Sequence, residues 1–225
     1  MDAEFINITT EKPGSGAFML HYPQQKSPIP VSTQSGSGFR TGSRKGHVFR
    51  KLNAAKATVF IEYAPLETAW VPIIGDNFYY VYCLWVLAAK KGKRIWQSAD
   101  GVLLGRGQET GEIRRLYAWI AKKQKAWLSD QAFAKKFGFE VVDTTEYGYE
   151  LLAVSFDKTV PKFAKNAKSQ GIESKELTIY YDMQCPYVDQ TIRAVKQYCE
   201  TNDVPVSFMQ VDTLPKSKGV ALCVQ

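Results

Sequence analysis

The chain is poor in the residue types that build metal and redox centres, with four cysteines and two histidines in 225 residues. Cys83, Cys185, Cys199 and Cys223 form no Cys-x-x-Cys pair, and His21 and His47 both fall in an irregular stretch, which argues against a zinc site. Long apolar runs are also missing. The longest, Phe78 to Ala89, falls short of the roughly 18 residues a membrane span needs and reads as a buried strand. The N-terminal residues show neither the cationic start nor the apolar stretch of a signal peptide. A cytoplasmic protein with reduced thiols and no membrane partner is expected.

Acidic side chains are absent from residues 12 to 50, which hold six Lys or Arg, so most of the net charge of +7 is local. The rest of the chain is nearly neutral, at 23 basic against 22 acidic residues. The same stretch contains six Gly, six Ser and four Pro and has no helical or strand period. Such a composition buries too little apolar surface to offset its ordering entropy, and a solvated, disordered segment is expected over residues 12–46. It lacks interleaved aromatics and any nucleic-acid-binding signature, so nucleic acid is not the expected partner.

From residue 51 the pattern turns to strands. Ala57 to Tyr63 and Thr68 to Ile73 are short β-rich runs separated by Ala64-Pro65-Leu66-Glu67. Phe78 to Leu87 is apolar on both alternating faces and should be a central strand covered on both sides. Three antiparallel strands are predicted here. Ile95 to Ile120 is weakly patterned. Ser129 to Phe137 suits a short helix stopped by Gly138, and Phe139 to Asp143 with Tyr147 to Phe156 reads as a hairpin. Residues 158–173 have linker composition with room for one helical turn. Glu176 to Tyr181, Val188 to Glu200 and Pro205 to Val211 then read as strand, amphipathic helix and strand.

The run Phe133-Ala134-Lys135-Lys136-Phe137-Gly138-Phe139 resembles the helix-to-strand segment of GNAT-type N-acetyltransferases, whose usual form is F-Y-x-K-x-G-F. The longer text from Lys122 to Leu152, continuing into Glu176 to Tyr187, is similar to the GNAT subfamily that carries a C-terminal YoaP-like domain. The resemblance implies an α/β fold of α+β type: a mixed, mainly antiparallel sheet with flanking helices over residues 1–157, then a truncated thioredoxin-like βαβ unit over 174–225. It also implies acetyl-CoA as co-substrate and a small-molecule or peptide amine as acceptor. In this family a splayed central strand receives the pantetheine arm, and the following turn and helix N-terminus bind the pyrophosphate through backbone N–H groups. The implied cofactor-binding residues are Leu84, Trp85 and Val86 on that strand, Lys91, Gly92 and Lys93 in the turn, and Phe137. The turn should read Q/R-x-x-G-x-G/A, but Arg94-Ile95-Trp96 follows Lys93, so only the first glycine is in place.

A shifted reading frame can supply the missing motif. Residues Arg94 to Ile120 can be encoded by DNA whose shifted frame reads GYGKALMEYCLAEAKKQGKSGVCMLG, a glycine turn, an amphipathic helix and a strand. Concordant shifted readings exist for residues 12–26, 28–46 and the tail from Pro215. The central and terminal segments therefore look frameshifted, and impaired CoA binding by this polypeptide is expected.

No general acid is assigned, because Ala134 stands where many GNAT enzymes place a tyrosine. Glu62 and Glu67 are candidate bases acting through water, against the plainer reading of exposed strand carboxylates. Cys185 opens a helix after a strand, where a helix N-terminus lowers a thiol's pKa. Val188 occupies the second-cysteine position of a redox pair, which excludes two-cysteine chemistry. Gly105 to Gly111 has the spacing G-x-G-x-x-x-G and follows no predicted strand, so it reads as a flexible loop. The alternatives to an acetyltransferase are a thiol-dependent redox or binding module centred on Cys185 and a non-catalytic basic binding protein centred on residues 12–50.

Overall fold

The computed structural model describes residues 5–8, 46–52, 59–86, 114–120, 134–135, 138–146, 148–155, 158–169, 176–183 and 186–219. Runs rich in β-branched and aromatic residues form the central strands, as expected for residues that fit a pleated, buried surface. They are β3 (Val59–Pro65) and β5 (Phe78–Val86). Around them lie β1 (Phe5–Ile8), β2 (Val48–Leu52), β6 (Arg114–Ile120), β7 (Glu140–Thr144) and β8 (Tyr149–Val154). These seven make one sheet in the order β1-β2-β3-β5-β6-β8-β7. Every neighbouring pair is antiparallel except β5 with β6. The predicted mixed, mainly antiparallel α/β fold is the one observed.

Both faces of the sheet are covered. On one, Ala64, Phe78, Tyr80, Leu151 and Ala153 pack under Leu66, Ala69, Val71, Ile73, Phe163 and Ala167. On the other, Ile61, Tyr63, Val81 and Leu152 pack with Ala134 and Phe139. Fully buried side chains such as Phe78 and Tyr80 each contribute on the order of 1.5–3 kcal/mol. Phe139 reaches its cluster because the preceding helix stops at Gly138. There φ is +81°, Gly138 N–H donates to Lys135 O at 3.2 Å and Phe139 N–H to Ala134 O at 3.3 Å. This is a Schellman closure, and it bears out the expected glycine stop.

Three expectations need correction. Thr68 to Ile73 is not a strand but a chain of tight turns, with Thr68 N–H bonded to Pro65 O, Ala69 N–H to Leu66 O, and Ile73 N–H to Val71 O. Both edges of β3 are already taken by β2 and β5, and Pro72 has no N–H for a ladder. Only Ile73–Ile74, β4, pairs as a strand, with β9 (Lys162–Phe163). The third antiparallel strand is instead β2, so the stretch read as irregular over 12–50 gives way to strand at Val48. Ile95 to Ile120, read as weakly patterned, contains β6. The expected disorder over residues 12–46 lies outside the described residues, apart from Gly46.

Residues 158–173 carry the expected turn of helix, α1 (Lys165–Ser169), and also β9, and they pack inward. Phe163, Ala164 and Ala167 are buried. Asp143, next to a bulge in β7, holds them there. Its Oδ2 accepts Phe163 N–H at 2.8 Å, and its Oδ1 accepts Thr144 N–H at 2.9 Å and pairs with Lys168 Nζ at 2.7 Å.

The C-terminal residues form β10 (Thr178–Tyr181), α2 (Pro186–Thr201) and β11 (Ser207–Gln210), with β10 and β11 parallel from Thr178↔Ser207 to Tyr181↔Gln210. This is the predicted strand, helix and strand. Ile192 and Cys199 are buried on the inner face of α2. The unit does not stop at β11, because Thr213 opens a further helix, α3 (Leu214–Gly219), with its Oγ1 accepting Lys216 N–H at 3.4 Å.

Burial pushes the Asp143 carboxyl up, but the Lys168 hydrogen bond, the two backbone donors and the Lys168 charge outweigh it and leave the pKa below 3.8. A carboxylate more acidic folded than unfolded stabilises the fold above the ordinary carboxylate range and loses that contribution as pH falls below about 4. Asp143→Asn should lower stability by about 1–3 kcal/mol at pH 7 in urea unfolding, with the gap from the unaltered protein closing in acid. Equal stability at pH 7 would remove Asp143 from this role.

Candidate functional site

The parallel pair at the centre of the sheet is short. β6 matches β5 only at Phe78↔Arg114, Tyr79↔Arg115 and Tyr80↔Leu116. Beyond Leu116, β6 continues among the described residues against β8 as far as Ile120↔Tyr149, and β5 against β3 as far as Val86↔Val59. The two strands therefore part after Tyr80. The cause lies in β5: Glu62 pairs with Cys83 and Tyr63 with Val81, which leaves Tyr82 as an extra residue. Such a bulge bends its strand and adds right-handed twist, turning the end of β5 away from β6. Leu84, Trp85 and Val86, the strand residues expected to receive an acyl donor, belong to this diverging part of β5.

A polar group sits beside the bulge. Glu62 lies on β3 opposite Cys83, with its side chain 17% exposed, and its Oε1 is 2.9 Å from Nε2 of His47, whose side chain is 4% exposed. Neither residue is an exposed bystander: the exposed-carboxylate reading of Glu62 is corrected, while His47 stays in irregular backbone as read, just before β2, but is buried. The His47 ring lies 5.5 Å from that of Tyr82, tilted by 53°. Tyr82 is held in turn by the T-shaped Tyr80 ring at 4.8 Å and by Trp70 N–H, which donates to its hydroxyl at 2.7 Å. Sequence reading missed His47 and Tyr82. His47 follows a Gly/Ser-rich run, and Tyr82 is one aromatic among several in a strand.

Glu67 does different work. It is exposed, and its Oε1 accepts Asn77 N–H at 2.7 Å, tying the loop between β3 and β5 to the turn before β5. Lys91, Gly92, Lys93, Phe137 and Cys185 lie outside the described residues. The same loop is also held from the C-terminal unit. Lys218 Nζ donates to Leu66 O at 3.2 Å and Ile73 O at 2.9 Å, and Lys218 O accepts from Asn166 Nδ2 at 3.1 Å. Burial pushes the Lys218 amine below its ordinary pKa, and the charge of Glu67 partly opposes that.

Over 177 residues the chain is 32% identical to a protein of Bacillus subtilis (strain 168) described as the uncharacterized N-acetyltransferase YoaP. The match takes in 75% of this chain and 67% of that protein. The chain belongs to the GNAT-type N-acetyltransferases. It is thereby an acyltransferase enzyme by family. No family model matches it. Among solved structures, this GNAT chain is similar to Arabidopsis thaliana Naa50 in complex with a bisubstrate analogue, at 14% identity and a TM-score of 0.44 over 69% of this chain and all of that one. It is also similar to the ribosomal-protein-S18-alanine N-acetyltransferase of Escherichia coli, at 11% identity and a TM-score of 0.41 over 70% of this chain and 99% of that one.

Lys218→Ala should cost about 1–2 kcal/mol, because two loop carbonyls lose their donor. Hydrogen exchange should then quicken in residues 66–73 ahead of the β5 ladder. Unchanged exchange there would show that the loop holds itself.

Proposed function

We propose that this chain transfers an acetyl group from acetyl-CoA to a primary amine of a small molecule or peptide, using the opening between β5 and β6 as the acyl-donor seat. The observation that carries the reading is the break in the β5–β6 ladder after Tyr80, opposite the bulge at Tyr82. Past that break the backbone of β5 has no described pairing partner on the β6 side. Such groups suit an amide-bearing chain and can polarise a thioester carbonyl. The residues present fit acetyl-CoA at this seat, with Leu84, Trp85 and Val86 nearest the acyl group. Lys91, Gly92, Lys93 and Phe137 would extend the site toward the phosphates.

Bound there, acetyl-CoA supplies an activated acetyl thioester. The chain's own residues orient the amine and take its proton. Glu62 is our candidate acceptor: it sits one strand spacing, about 4.8 Å, from the diverging part of β5, and acts directly or through one water. No residue is assigned as the acid that protonates the leaving thiolate.

Residues 94–120 bear on affinity. On the frameshift reading they replace a glycine turn and its helix, and the pyrophosphate is then held less well than in an intact GNAT site. The strand at Arg114–Ile120 supports a seat that keeps this wall. The C-terminal βαβ unit, read as a truncated thioredoxin-like domain, contributes its hold on the loop beside Tyr82.

Calorimetric titration with acetyl-CoA, paired with acetylation of a panel of primary amines and peptide N-termini, tests the reading. Saturable binding below about 1 mM and acetylated product are expected. No heat and no product at that concentration would sink the proposal. Resequencing the encoding DNA tests the frame separately: an intact read in the present frame would remove that part alone.

A further inference from the structure

We propose that Trp70 selects the acceptor: its indole walls the approach to the β5–β6 opening on one face of the sheet and favours primary amines with an apolar or aromatic body over small polar ones. This deepens the reading of the opening as an acetyl-CoA seat and rests on it. The backbone places Trp70, since its N–H donates to the Tyr82 hydroxyl at 2.7 Å and Tyr82 is the residue that the β3–β5 register skips. Pairing of β5 with β6 ends at Tyr80, two residues earlier. The indole therefore springs from a backbone fastened over the bulge itself. Its side chain is the exception in its run. Ala69, Val71, Pro72 and Ile73 are buried, whereas Trp70, the largest of the five, is partly exposed. Among the described residues its one hydrogen bond is the backbone bond to Tyr82, and its ring meets no other ring. A large amphipathic surface left in this state is what recognition sites use, with an apolar face and a polar N–H both open to a ligand.

A gap between strands opens on both faces of a sheet. On one face Ala134 and Phe139 pack with Val81, the first β5 residue past the break. Phe137, expected on the phosphate side of the donor, falls between those two in the chain, so the donor is read on that face. Trp70 lies between Ala69 and Val71, which pack with Phe78 and Tyr80 on the opposite face, and Tyr82 packs against the same cluster. An amine that meets a thioester seated in the gap arrives from there, past the indole. The loop's own carboxylate, Glu67, is taken by Asn77 N–H, so the loop offers the amine carbon surface and not charge. The loop is also held. Turns bond Thr68 N–H to Pro65 O and Ala69 N–H to Leu66 O, and Lys218 Nζ donates to the carbonyls of Leu66 and Ile73. An aromatic wall on a fixed loop loses little freedom when a ligand packs on it, which favours discrimination between acceptors.

The test compares phenethylamine with ethanolamine as acceptors at saturating acetyl-CoA. In the unaltered chain kcat/KM should be about ten-fold or more higher for phenethylamine. Trp70→Ala removes the indole and keeps the N–H that binds Tyr82, so the anchor of the loop survives the substitution. It should raise KM for phenethylamine about ten-fold, with KM for acetyl-CoA unchanged, and Trp70→Phe, which keeps an aromatic wall, should retain most of the preference. A merely structural role would not divide the two substrates in this way. Equal kcat/KM for the two amines in the unaltered chain, a phenethylamine KM within about two-fold in Trp70→Ala, or equal losses in both variants would each overturn the proposal. Turnover of both amines that ignores Trp70 sinks this inference alone, whereas absence of turnover from the unaltered chain with every amine sinks the acetyltransferase reading and this inference with it.

Discussion

One extra residue in one strand sets up the rest of the molecule. The β3–β5 register skips Tyr82, so β5 must accommodate two residues against one step of its neighbour, and the strand bends where it does so. Pairing with β6 ends two residues earlier, at Tyr80. A straight β5 would zip along β6, and the sheet would close as an ordinary mixed sheet with its backbone polar groups consumed. The bulge keeps those groups out of the ladder while β3 still pairs with β5 on either side of it, from Val59↔Val86 to Pro65↔Tyr79.

A bend of this kind must be held, since ladder hydrogen bonds are lost and the sheet tends to recover them. Three contacts do so. The Tyr80 ring packs on that of Tyr82, the His47 ring packs beside it, and Trp70 N–H binds its hydroxyl. Trp70 belongs to a loop whose own geometry comes from the turns of residues 65–73, from Glu67 on Asn77 and from Lys218 on two of its carbonyls. The C-terminal unit thus reaches the bulge through one loop, in a chain of named hydrogen bonds. Asp143 does comparable work behind the sheet, fastening Phe163 and α1 over the larger of the two cores.

Much of the fold is legible in local pattern. The central strand, the glycine stop at Gly138, the hairpin of β7 and β8, and the β10–α2–β11 unit all follow from periodicity and cap chemistry acting over a few residues. Thr68 to Ile73 shows the limit of that reasoning. Its composition suits a strand, yet β3 has no edge left to offer and Pro72 no donor. Residues 114–120 fail in the opposite sense: their short apolar run, Leu116 to Ile120, becomes a strand because β5 and β8 flank a slot that a strand must fill. In the site, Glu62 and the diverging strand were visible from composition and family resemblance, but His47 was not, because nothing near it in the chain marks it as a partner.

From its residues alone the chain determined which segments extend, where a helix must stop, and which family the central motifs belong to, because those properties rest on neighbours within one or two turns of backbone. Only the tertiary structure decided that β5 and β6 pair in parallel and then part, that His47 meets Glu62, and that Lys218 binds Leu66 across 152 residues of sequence. Those contacts depend on which edges and carbonyls remain unsatisfied once the whole sheet has assembled, and that accounting exists only in the folded molecule.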